Sequence, residues 1–271
     1  MKITVSAAEN GSTLGEVLRK KGFSRRLVTK LKRIENGITR RGELVRTVDY
    51  VYEDDVIQIK DIQGDIPQVN ASLDVPVLYE DEDVIVFDKP SEMPVHQSIK
   101  HRDDTLANFF AVKCPGITFR PINRLDRNTM GCVVCAKSRH AAHILQGSID
   151  KVYYGLIPEP KFSGGRICAP IARQRESIIL RCVREDGQYA ATCWRVLERR
   201  GKHALCEFIL ETGRTHQIRV HMAHIGYPLI GDDMYGGDCT SRKTQALLCG
   251  EVTFKRPFDG RSITVKTDRK L

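Results

Sequence analysis

The hydrophobic positions near the start of the chain have the spacing of short helices. Leu14, Val17 and Leu18 share one helical face. The stretch 13–16 has the Thr-x-x-Glu spacing of a capping box, which satisfies two free backbone N–H groups at a helix start. Gly22 can adopt the left-handed backbone that ends many helices. The pattern therefore predicts one short helix that ends there.

A second short helix and a group of small strands are predicted to follow. Ser24 is a helix-capping residue type, and Leu27, Val28 and Leu31 behind it form one apolar stripe. Glycine turns and short β-like runs come next, and the last of these runs covers residues 54–59. This part of the chain is therefore predicted to combine helices and strands.

Residues 63–73 have neither helical nor strand periodicity. They contain glycine, proline and small polar residues, which favour an irregular linker. We therefore predict three parts: a small α/β domain over residues 1–62, a linker over 63–73 and a larger domain over 74–271.

From residue 74 onward the hydrophobic pattern is mainly that of strands. The predicted strands cover residues 75–79, 84–88, 132–136, 151–157, 177–183, 189–197, 203–210, 246–254 and 262–266. The predicted helices are one capped by Asp104 over residues 105–112, one capped by Ser138 that reaches Gln146, and one that Thr215 opens and Gly226 ends. Since few helices separate the strands, the expected fold class is α+β with a mixed, mainly antiparallel sheet.

One acidic residue lies in a markedly basic stretch in the middle of the chain. Asp126 is flanked by Arg124 and Arg127 in the sequence Asn-Arg-Leu-Asp-Arg-Asn-Thr-Met-Gly. Nearby positive charge favours the ionised form of a carboxyl group, and an ionised aspartate is a candidate nucleophile or base. A surface ion pair is the alternative interpretation of the same residues.

The chain as a whole is basic, with 43 Lys and Arg residues against 34 Asp and Glu and a formal net charge of +9. This balance indicates a polyanionic partner. Eight basic residues and no acid fall between Arg19 and Arg33, on the two predicted N-terminal helices. Either these helices bind phosphates or they present a solvated basic face, and a steep salt dependence of binding would identify the first case.

The composition also bears on location. The longest apolar runs are too short to cross a bilayer, and residues 1–4 begin a predicted strand where a secretion signal would need an apolar core. Nine cysteines without an export signal are expected to be reduced, mostly buried thiols. We therefore expect a cytoplasmic protein with no membrane partner.

Two other kinds of site can be weighed from the same sequence. Four possible zinc ligands occur in one stretch: Cys132, Cys135, His140 and His143. Only a short spacer separates the second cysteine from the first histidine, against about a dozen residues in a zinc finger, so no metal is expected. Three histidines in one segment suggest a hydrolase: His216, His221 and His224. The chain has no Gly-x-Ser-x-Gly elbow to accompany them.

Several sequence blocks resemble, in order and spacing, the motifs of the RluA-type RNA pseudouridine synthases. The blocks are Asp83–Pro90 with His96, Arg124–Gly131, Lys151–Tyr153, and Thr212–His221 with its continuation through Pro228–Asp232 to Gly236. The resemblance covers roughly residues 75–266 and implies the pseudouridine synthase fold. The basic helices and small sheet before it resemble an alpha-L RNA-binding domain, the usual companion in one branch of this family.

The resemblance also implies roles for individual residues. The family's catalytic aspartate falls on Asp126, its aromatic partner on Tyr153, and the arginine that pairs with the aspartate on Arg219. Arg124 corresponds to the arginine implicated in holding the target base out of its helix. The other residues expected to contact RNA are Arg127, His96, Arg214, His216, Gln217, Arg25, Arg26 and Lys30.

Two residues of the second block depart from the commonest family pattern. Asn123 stands where the family most often has His, and Met130 where it usually has Ser. Neither is the nucleophile, so these departures concern fine positioning and substrate choice more than activity.

The implied reaction converts a uridine in RNA to pseudouridine. The bond from nitrogen 1 to the sugar breaks, the uracil turns, and carbon 5 joins the sugar, so neither a cofactor nor a metal is expected. Large-subunit ribosomal RNA is the expected substrate, ahead of transfer RNA, and the protein is expected to be a monomer. The alternative is a non-catalytic RNA-binding or ribosome-assembly protein that retains the fold. Retention of Asp126, Tyr153 and Arg219 together favours the enzyme.

Overall fold

The computed structural model describes residues 1–177 and 179–271. Its N-terminal part contains β1 (Lys2–Thr4), a 3-10 turn (Ala7–Glu9), β2 (Ser12–Thr13), α1 (Leu14–Lys20), α2 (Arg25–Leu31), β3 (Ile38–Arg40), β4 (Glu43–Leu44), β5 (Tyr50–Val51) and β6 (Val56–Ile59).

Both predicted N-terminal helix starts are confirmed. The backbone N–H of Thr13 donates to the Glu16 carboxylate at 3.0 Å, and the Thr13 hydroxyl accepts from the Glu16 N–H at 3.4 Å. Ser24 accepts from the N–H of Leu27 at 3.2 Å. The caps therefore set where α1 and α2 begin, and both helices turn an apolar face to one small core.

The N-terminal core lies between these helices and a small antiparallel sheet. The spatial order of its strands is β1-β6-β3-β4. Leu14, Leu18 and Ile57 are fully buried in this core. Among the described residues it shares no buried member with the larger core that follows, while the domain limits 1–62 and 74–271 stay a prediction.

The larger part contains most of the strands. They and its helices are β7 (Val77–Glu80), β8 (Val84–Lys89), α3 (Leu106–Lys113), β9 (Met130–Ala136), α4 (Arg139–Leu145), β10 (Asp150–Pro158), β11 (Gly164–Cys168), β12 (Ile171–Arg173), β13 (Arg181–Val183), β14 (Ala191–Arg200), β15 (His203–Leu210), α5 (Gln217–His224), β16 (Leu247–Lys255) and β17 (Ser262–Lys266). Within the described chain, no helix has both the length and the apolar content to cross a membrane.

Nine of the described strands form one sheet, in the order β11-β14-β15-β10-β16-β9-β8-β7, with β17 paired to β16. Its pairings are antiparallel except for β9 with β16, where Met130 and Gly131 lie beside Leu248 and Cys249 in parallel. A mixed, mainly antiparallel sheet with few helices was the expected fold class, and it is confirmed.

The parallel pairing requires a glycine at residue 131. Gly131 has a φ of 103°, and a Cβ atom there would overlap the backbone carbonyl of Cys249. Only glycine tolerates both the positive φ and the close approach. This close contact fixes the start of β9, and therefore the loop before it, against the middle of the sheet.

Two predicted helix starts are wrong. Asp104 does not cap α3; Thr105 does, in a capping box with Asn108, while the Asp104 carboxylate contacts His101 at 2.6 Å. Thr215 does not open α5, because His216 takes a left-handed backbone and the helix begins after it. Local sequence favoured the acidic residue and the threonine, but the tertiary environment selected their neighbours.

Within the predicted strand over 177–183, the described residues form the short strand β13. Ile178 of that prediction lies outside the described residues. The strands β11 and β12 were not predicted; they are five and three residues long, and such short strands leave little periodicity to read.

The N-terminal part contacts α4 of the larger part. The rings of Phe23 and His140 stack with their centroids 4.1 Å apart, and Arg139 donates to the carbonyl of Ile62 at 2.8 Å. Burial lowers the pKa of His140 to about 4, so this imidazole is neutral at physiological pH. The stacked contact is therefore between two uncharged rings, and the hydrogen bond from Arg139 to Ile62 lies beside it.

Candidate active site

The loop that contains Asp126 is attached to β9 at its start. Asn123 precedes the loop; its amide donates to the carbonyl of Cys132 at 3.0 Å and accepts from the N–H of Val134 at 2.8 Å. The N–H of Thr129 donates to the Asp126 carbonyl at 3.0 Å and closes a turn. Asn123 therefore acts as a backbone mimic that holds the loop to the sheet.

A buried lysine holds the loop from its other side. The Lys89 ammonium, at the end of β8, donates to the carbonyls of Pro90, Met93 and Arg127 at 2.8, 2.8 and 2.9 Å. Burial lowers the pKa of Lys89 to about 7, and the Asp126 carboxylate opposes this. Three carbonyl acceptors require three N–H donors, which only the ammonium form supplies. We therefore treat Lys89 as charged at neutral pH.

Asp126 lies against an arginine from a distant helix. An Nη atom of Arg219, on α5, donates to Asp126 Oδ2 at 3.2 Å. The Arg219 side chain is 3% exposed and that of Asp126 is 26% exposed. The carboxylate thus keeps one side open to solvent while the cation behind it is buried.

A second carboxylate orients this arginine. Asp232, itself fully buried, accepts two hydrogen bonds from Arg219, both at 2.8 Å. Burial alone would lower the pKa of Arg219, but the hydrogen bonds and charge of Asp232, with those of Asp126, raise it. The paired arrangement is the bidentate geometry that suits a guanidinium. The family resemblance implied that Arg219 pairs with Asp126, and no role was predicted for Asp232.

Tyr153 lines the same cavity as the arginine. It lies on β10, where it is paired with Cys249 of β16, and it is 7% exposed. Burial raises its pKa well above the ordinary value of 10, with Cys249 contributing next. The phenol is therefore protonated at neutral pH. It lines the same cavity as Asp126 and Arg219, a space of about 60 Å³.

His216, expected from the sequence to contact RNA, lies close to Asp126. The residue precedes α5 with a φ of 57°, so it does not share a helical face with Arg219. Its Nε2 lies 3.8 Å from Asp126 Oδ2, and its Nδ1 lies 2.8 Å from the hydroxyl of Tyr235. The left-handed residue, not the helix, brings this imidazole to the carboxylate.

The arginines around Asp126 differ in where they lie. Arg124 is exposed and lines the cavity. Arg127 is also exposed, but its Nε donates to the carbonyl of Glu92 at 3.2 Å. His96 packs edge-on against Phe119 outside the cavity lining, with ring centroids 5.4 Å apart.

Arg214 and Gln217, the other two residues near α5 that were expected to contact RNA, differ in exposure. Arg214 is exposed at the mouth of the cavity and donates to the carbonyl of Tyr189. Gln217 is 3% exposed, and its amide makes four hydrogen bonds within the protein. Because these use all its ordinary donors and acceptors, the arrangement does not support an RNA contact by Gln217. It braces the loop before α5 instead.

The basic residues expected to bind RNA far from Asp126 lie on α2. Arg25, Arg26 and Lys30 are all exposed, on the side away from the buried Leu27 and Leu31. No contact recorded for the described residues joins them to the cavity. Their expected contact with RNA stays a prediction.

Among the described residues, neither the zinc site nor the hydrolase site considered above is assembled. Cys132 and Cys135 are fully buried in β9, and in the part of the chain that the structure describes no three His, Cys, Asp or Glu side chains come together as a metal site. His221 is buried and hydrogen-bonded to Thr192 and to the carbonyl of Ala169. Its role is packing. All nine cysteines are free thiols, and five of them are buried.

The cavity combines an ionised carboxylate, a buried cation and a protonated phenol without any nucleophilic Ser or Cys on its lining. A carboxylate of this kind can attack an electrophilic carbon or remove a proton. Leu125, Leu210 and Leu247 supply apolar surface beside it. The site suits a flat, uncharged ring held next to Asp126.

The comparisons with known proteins agree with this arrangement. The family model described as RNA pseudouridylate synthase matches residues 83–224, more than half of the chain. The matched segment includes the Asp126 loop, Tyr153 and Arg219, but ends before Asp232.

The chain is similar to proteins whose names give the same activity. It is 34% identical over 247 residues to ribosomal large subunit pseudouridine synthase D of Xanthomonas campestris, covering 82% of this chain and 74% of that protein. It is 41% identical over 174 residues to synthase D of Pseudomonas aeruginosa, covering 61% and 54%. It is 37% identical over 219 residues to an uncharacterized RNA pseudouridine synthase of Synechocystis, covering 74% and 66%. The chain thus spans about half of the Pseudomonas protein and just under two thirds of the Synechocystis protein.

A solved structure gives the same fold. Human RNA pseudouridylate synthase domain containing 1 superposes with a TM-score of 0.62 over 74% of this chain and 86% of that one, at 24% identity. Its likeness shows that the larger part has the pseudouridine synthase fold. Taken with the family match and the sequence relatives, the chain belongs to the RNA pseudouridine synthase family.

Proposed function

We propose that this protein converts uridine to pseudouridine in RNA, with Asp126 as the catalytic carboxylate. The observation that carries the proposal is that Asp126, Tyr153 and Arg219 line one cavity although they come from three separate parts of the chain. A protein that only binds RNA gains nothing from a buried guanidinium held against a half-open carboxylate.

The reaction needs only what this cavity supplies. The bond between nitrogen 1 and the sugar breaks, a bond between carbon 5 and the sugar forms, and the proton of carbon 5 is lost while nitrogen 1 gains one. Asp126 either attacks the anomeric carbon or removes the neighbouring sugar proton, and both routes need it ionised. Arg219 supplies the opposing charge at 3.2 Å. Tyr153 contacts the turning uracil.

The target nucleotide must leave its stack to reach Asp126. Base flipping costs a few kcal/mol, and least where the RNA is unpaired or bulged. Arg124, exposed at the cavity, stacks in the vacated position or holds a phosphate. Binding of RNA by the exposed basic residues of α2 offsets part of this cost.

We further propose that the N-terminal part is an alpha-L RNA-binding domain and that the substrate is large-subunit ribosomal RNA, ahead of transfer RNA. Two relatives support this through their names, ribosomal large subunit pseudouridine synthase D. The proposal includes a monomer, since one chain contains the whole cavity, and a cytoplasmic location, which rests on the sequence alone.

Tritium release tests the activity directly, because carbon 5 loses its hydrogen in the reaction. Ribosomal and transfer RNA, labelled with tritium at carbon 5 of uridine, are prepared separately from cells that lack the gene. We expect the wild-type protein to release tritium from ribosomal RNA and the Asp126→Asn variant to release none. Asp150→Asn, a matched change at an exposed aspartate of β10, should retain the wild-type rate.

The same variants separate the enzyme from a non-catalytic RNA binder. The proposal expects Asp126→Asn to bind labelled ribosomal RNA about as tightly as wild type while releasing no tritium. If the wild-type protein binds both RNA pools but releases tritium from neither, the non-catalytic function stands.

A further inference from the structure

His216 is the residue near Asp126 whose role the proposed chemistry leaves open. Its side chain is 9% exposed, and its backbone lies in the left-handed region at a φ of 57°. Non-glycine residues rarely adopt this backbone, and such strain persists where the surrounding structure enforces it, often at functional sites. The geometry holds one imidazole edge towards Tyr235 and the other towards Asp126.

The hydrogen bonds of Tyr235 fix the position of the proton on this imidazole. The Tyr235 hydroxyl accepts from the backbone N–H of Arg181 at 3.0 Å and lies 2.8 Å from His216 Nδ1. A hydroxyl has one proton to donate. Across the described residues, Nδ1 is the only acceptor recorded for it. Donation to Nδ1 gives the Tyr235 hydroxyl proton a partner among the described residues, and this arrangement places the proton of the neutral imidazole on Nε2.

The charges around His216 agree with a neutral ring. Burial lowers its pKa, and the cations Arg219 and Arg181 lower it further, against the opposing effect of Asp126 and Asp232. Burial also raises the pKa of Tyr235, so its phenol remains a donor. The Nε2–H group is thus available at neutral pH. It points at Asp126 Oδ2 from 3.8 Å, the same oxygen that accepts from Arg219 at 3.2 Å.

We propose that His216 is a positioning residue: Tyr235 holds it in the Nε2–H form, and it donates to the Asp126 carboxylate when RNA closes the site. This rests on the proposed function. The distance of 3.8 Å is too long for a hydrogen bond in the free protein. Catalytic hydrogen bonds are often long without substrate and shorten in the complex. Two donors from different directions then fix which face of the carboxylate meets the sugar.

The proposal also ties the β12–β13 hairpin to the reacting carboxylate. Arg181 lies on β13, and its N–H bonds to the same hydroxyl that orients His216. The hairpin, Tyr235, His216 and Asp126 thus form one continuous chain of contacts. If the hairpin moved, Tyr235 would lose its bond to Arg181 and would no longer hold His216 in the Nε2–H form.

Two substitutions at one position separate donation from backbone strain. His216→Gln places an amide N–H where Nε2 lies, whereas His216→Asn ends at the level of Nδ1. Asparagine, however, adopts the left-handed backbone more easily than glutamine. Donation to Asp126 therefore predicts that the glutamine variant is the faster of the two, and a purely conformational role predicts the opposite order.

The test measures single-turnover tritium release at increasing enzyme concentration, with ribosomal RNA labelled at carbon 5 of uridine. We expect His216→Asn and Tyr235→Phe each to lower the limiting rate about tenfold, and His216→Gln to lower it only about threefold. The enzyme concentration at half-maximal rate should stay within about twofold, since Asp126 is aligned after RNA has bound.

Three results would overturn the assignment. The asparagine variant could match or exceed the glutamine variant, Tyr235→Phe could react at the wild-type rate, or the variants could change only the half-maximal concentration, as a simple RNA contact would. The rate of a variant is used only if its Tm stays within about 3 °C of the wild-type Tm. If Tyr235→Phe fails this control, the comparison of His216→Gln with His216→Asn tests the assignment. Failure of the proposed function is distinct, because the wild-type protein itself would then release no tritium.

Discussion

The ion pair between Arg219 and Asp232 gives a quantitative test of how the site is built. Replacing Asp232 with asparagine keeps the volume but removes the charge that faces the guanidinium. Both side chains are buried, at 3% and 0% exposure, so water cannot replace the lost partner. Removing one member of a buried pair costs about 3–5 kcal/mol. Since Arg219 keeps Asp126 at 3.2 Å, we expect the lower end, about 3 kcal/mol.

A surface pair of the same geometry is the matched control. Arg166 binds Glu211 through two hydrogen bonds of 2.7 and 2.8 Å, almost the distances of the buried pair. Its side chains are 48% and 41% exposed, and exposed pairs contribute about 0–1 kcal/mol. Glu211→Gln should therefore lower the free energy of unfolding by about 1 kcal/mol or less. The two variants differ in burial and hardly at all in chemistry.

Scanning calorimetry distinguishes the two variants. For a folded unit of this size, each kcal/mol lowers the Tm by about 2–4 °C. Asp232→Asn should lower the Tm by about 6–12 °C and Glu211→Gln by no more than about 4 °C. Equal shifts for the two variants would refute the reasoning, because burial would then not determine how much an ion pair contributes to the free energy of unfolding. Tritium release by Asp232→Asn should fall at least about tenfold, since Arg219 no longer has a fixed orientation.

Three further predictions follow from buried groups. Lys89→Met leaves three carbonyls without their donor, so the free energy of unfolding in urea should fall by about 3 kcal/mol or more; a fall under about 1 kcal/mol would contradict the role assigned to this lysine. His140 has its pKa lowered to about 4 from an ordinary 6.5, so the unfolded chain takes up a proton first and stability should fall as the pH drops from about 6.5 to about 4. A His140→Phe variant should lose this slope in a pH series of unfolding curves, and an unchanged slope would assign it to other groups. Gly131→Ala should lower the free energy of unfolding, followed by circular dichroism melting, by about 2–4 kcal/mol, because the added Cβ meets the carbonyl of Cys249. A melting curve like that of the wild type would mean that β9 can shift.

Local signals in the sequence predicted the local structure well. The capping residues Thr13, Ser24 and Ser138 each mark the start of a helix that is present. A cap works through atoms within three residues of it, so the information is contained in one short stretch. The same reasoning failed at Asp104, where the neighbouring Thr105 caps the helix and the carboxylate binds His101 instead.

The site itself was only partly predictable. Asp126, Tyr153 and Arg219 were named from motifs, and the structure brings them to one cavity; their catalytic roles stay a prediction. Asp232 was missed, although it lies within the last motif, because nothing in the sequence says which cation a buried carboxylate will meet.

The role of Lys89 was missed for a different reason. Its three acceptors are backbone carbonyls, and one of them lies 38 residues away at Arg127. Backbone acceptors leave no signal in a sequence, because every residue has one. The left-handed backbone of His216 was not predicted either, and neither of its neighbours shares the positive φ.

The parallel pairing of β9 with β16 has a consequence for how the protein is made. The Cys132 thiol and the Gly250 carbonyl that meet there are 118 residues apart in the chain. Contacts of such long sequence separation form slowly, because a large loop must close before they are gained. In a nascent chain on the ribosome, β9 and the Asp126 loop before it therefore lack their partner strand until β16 has emerged. We expect the cavity to form only after β16 has emerged, and therefore later than the basic N-terminal helices, which have had time to fold by then.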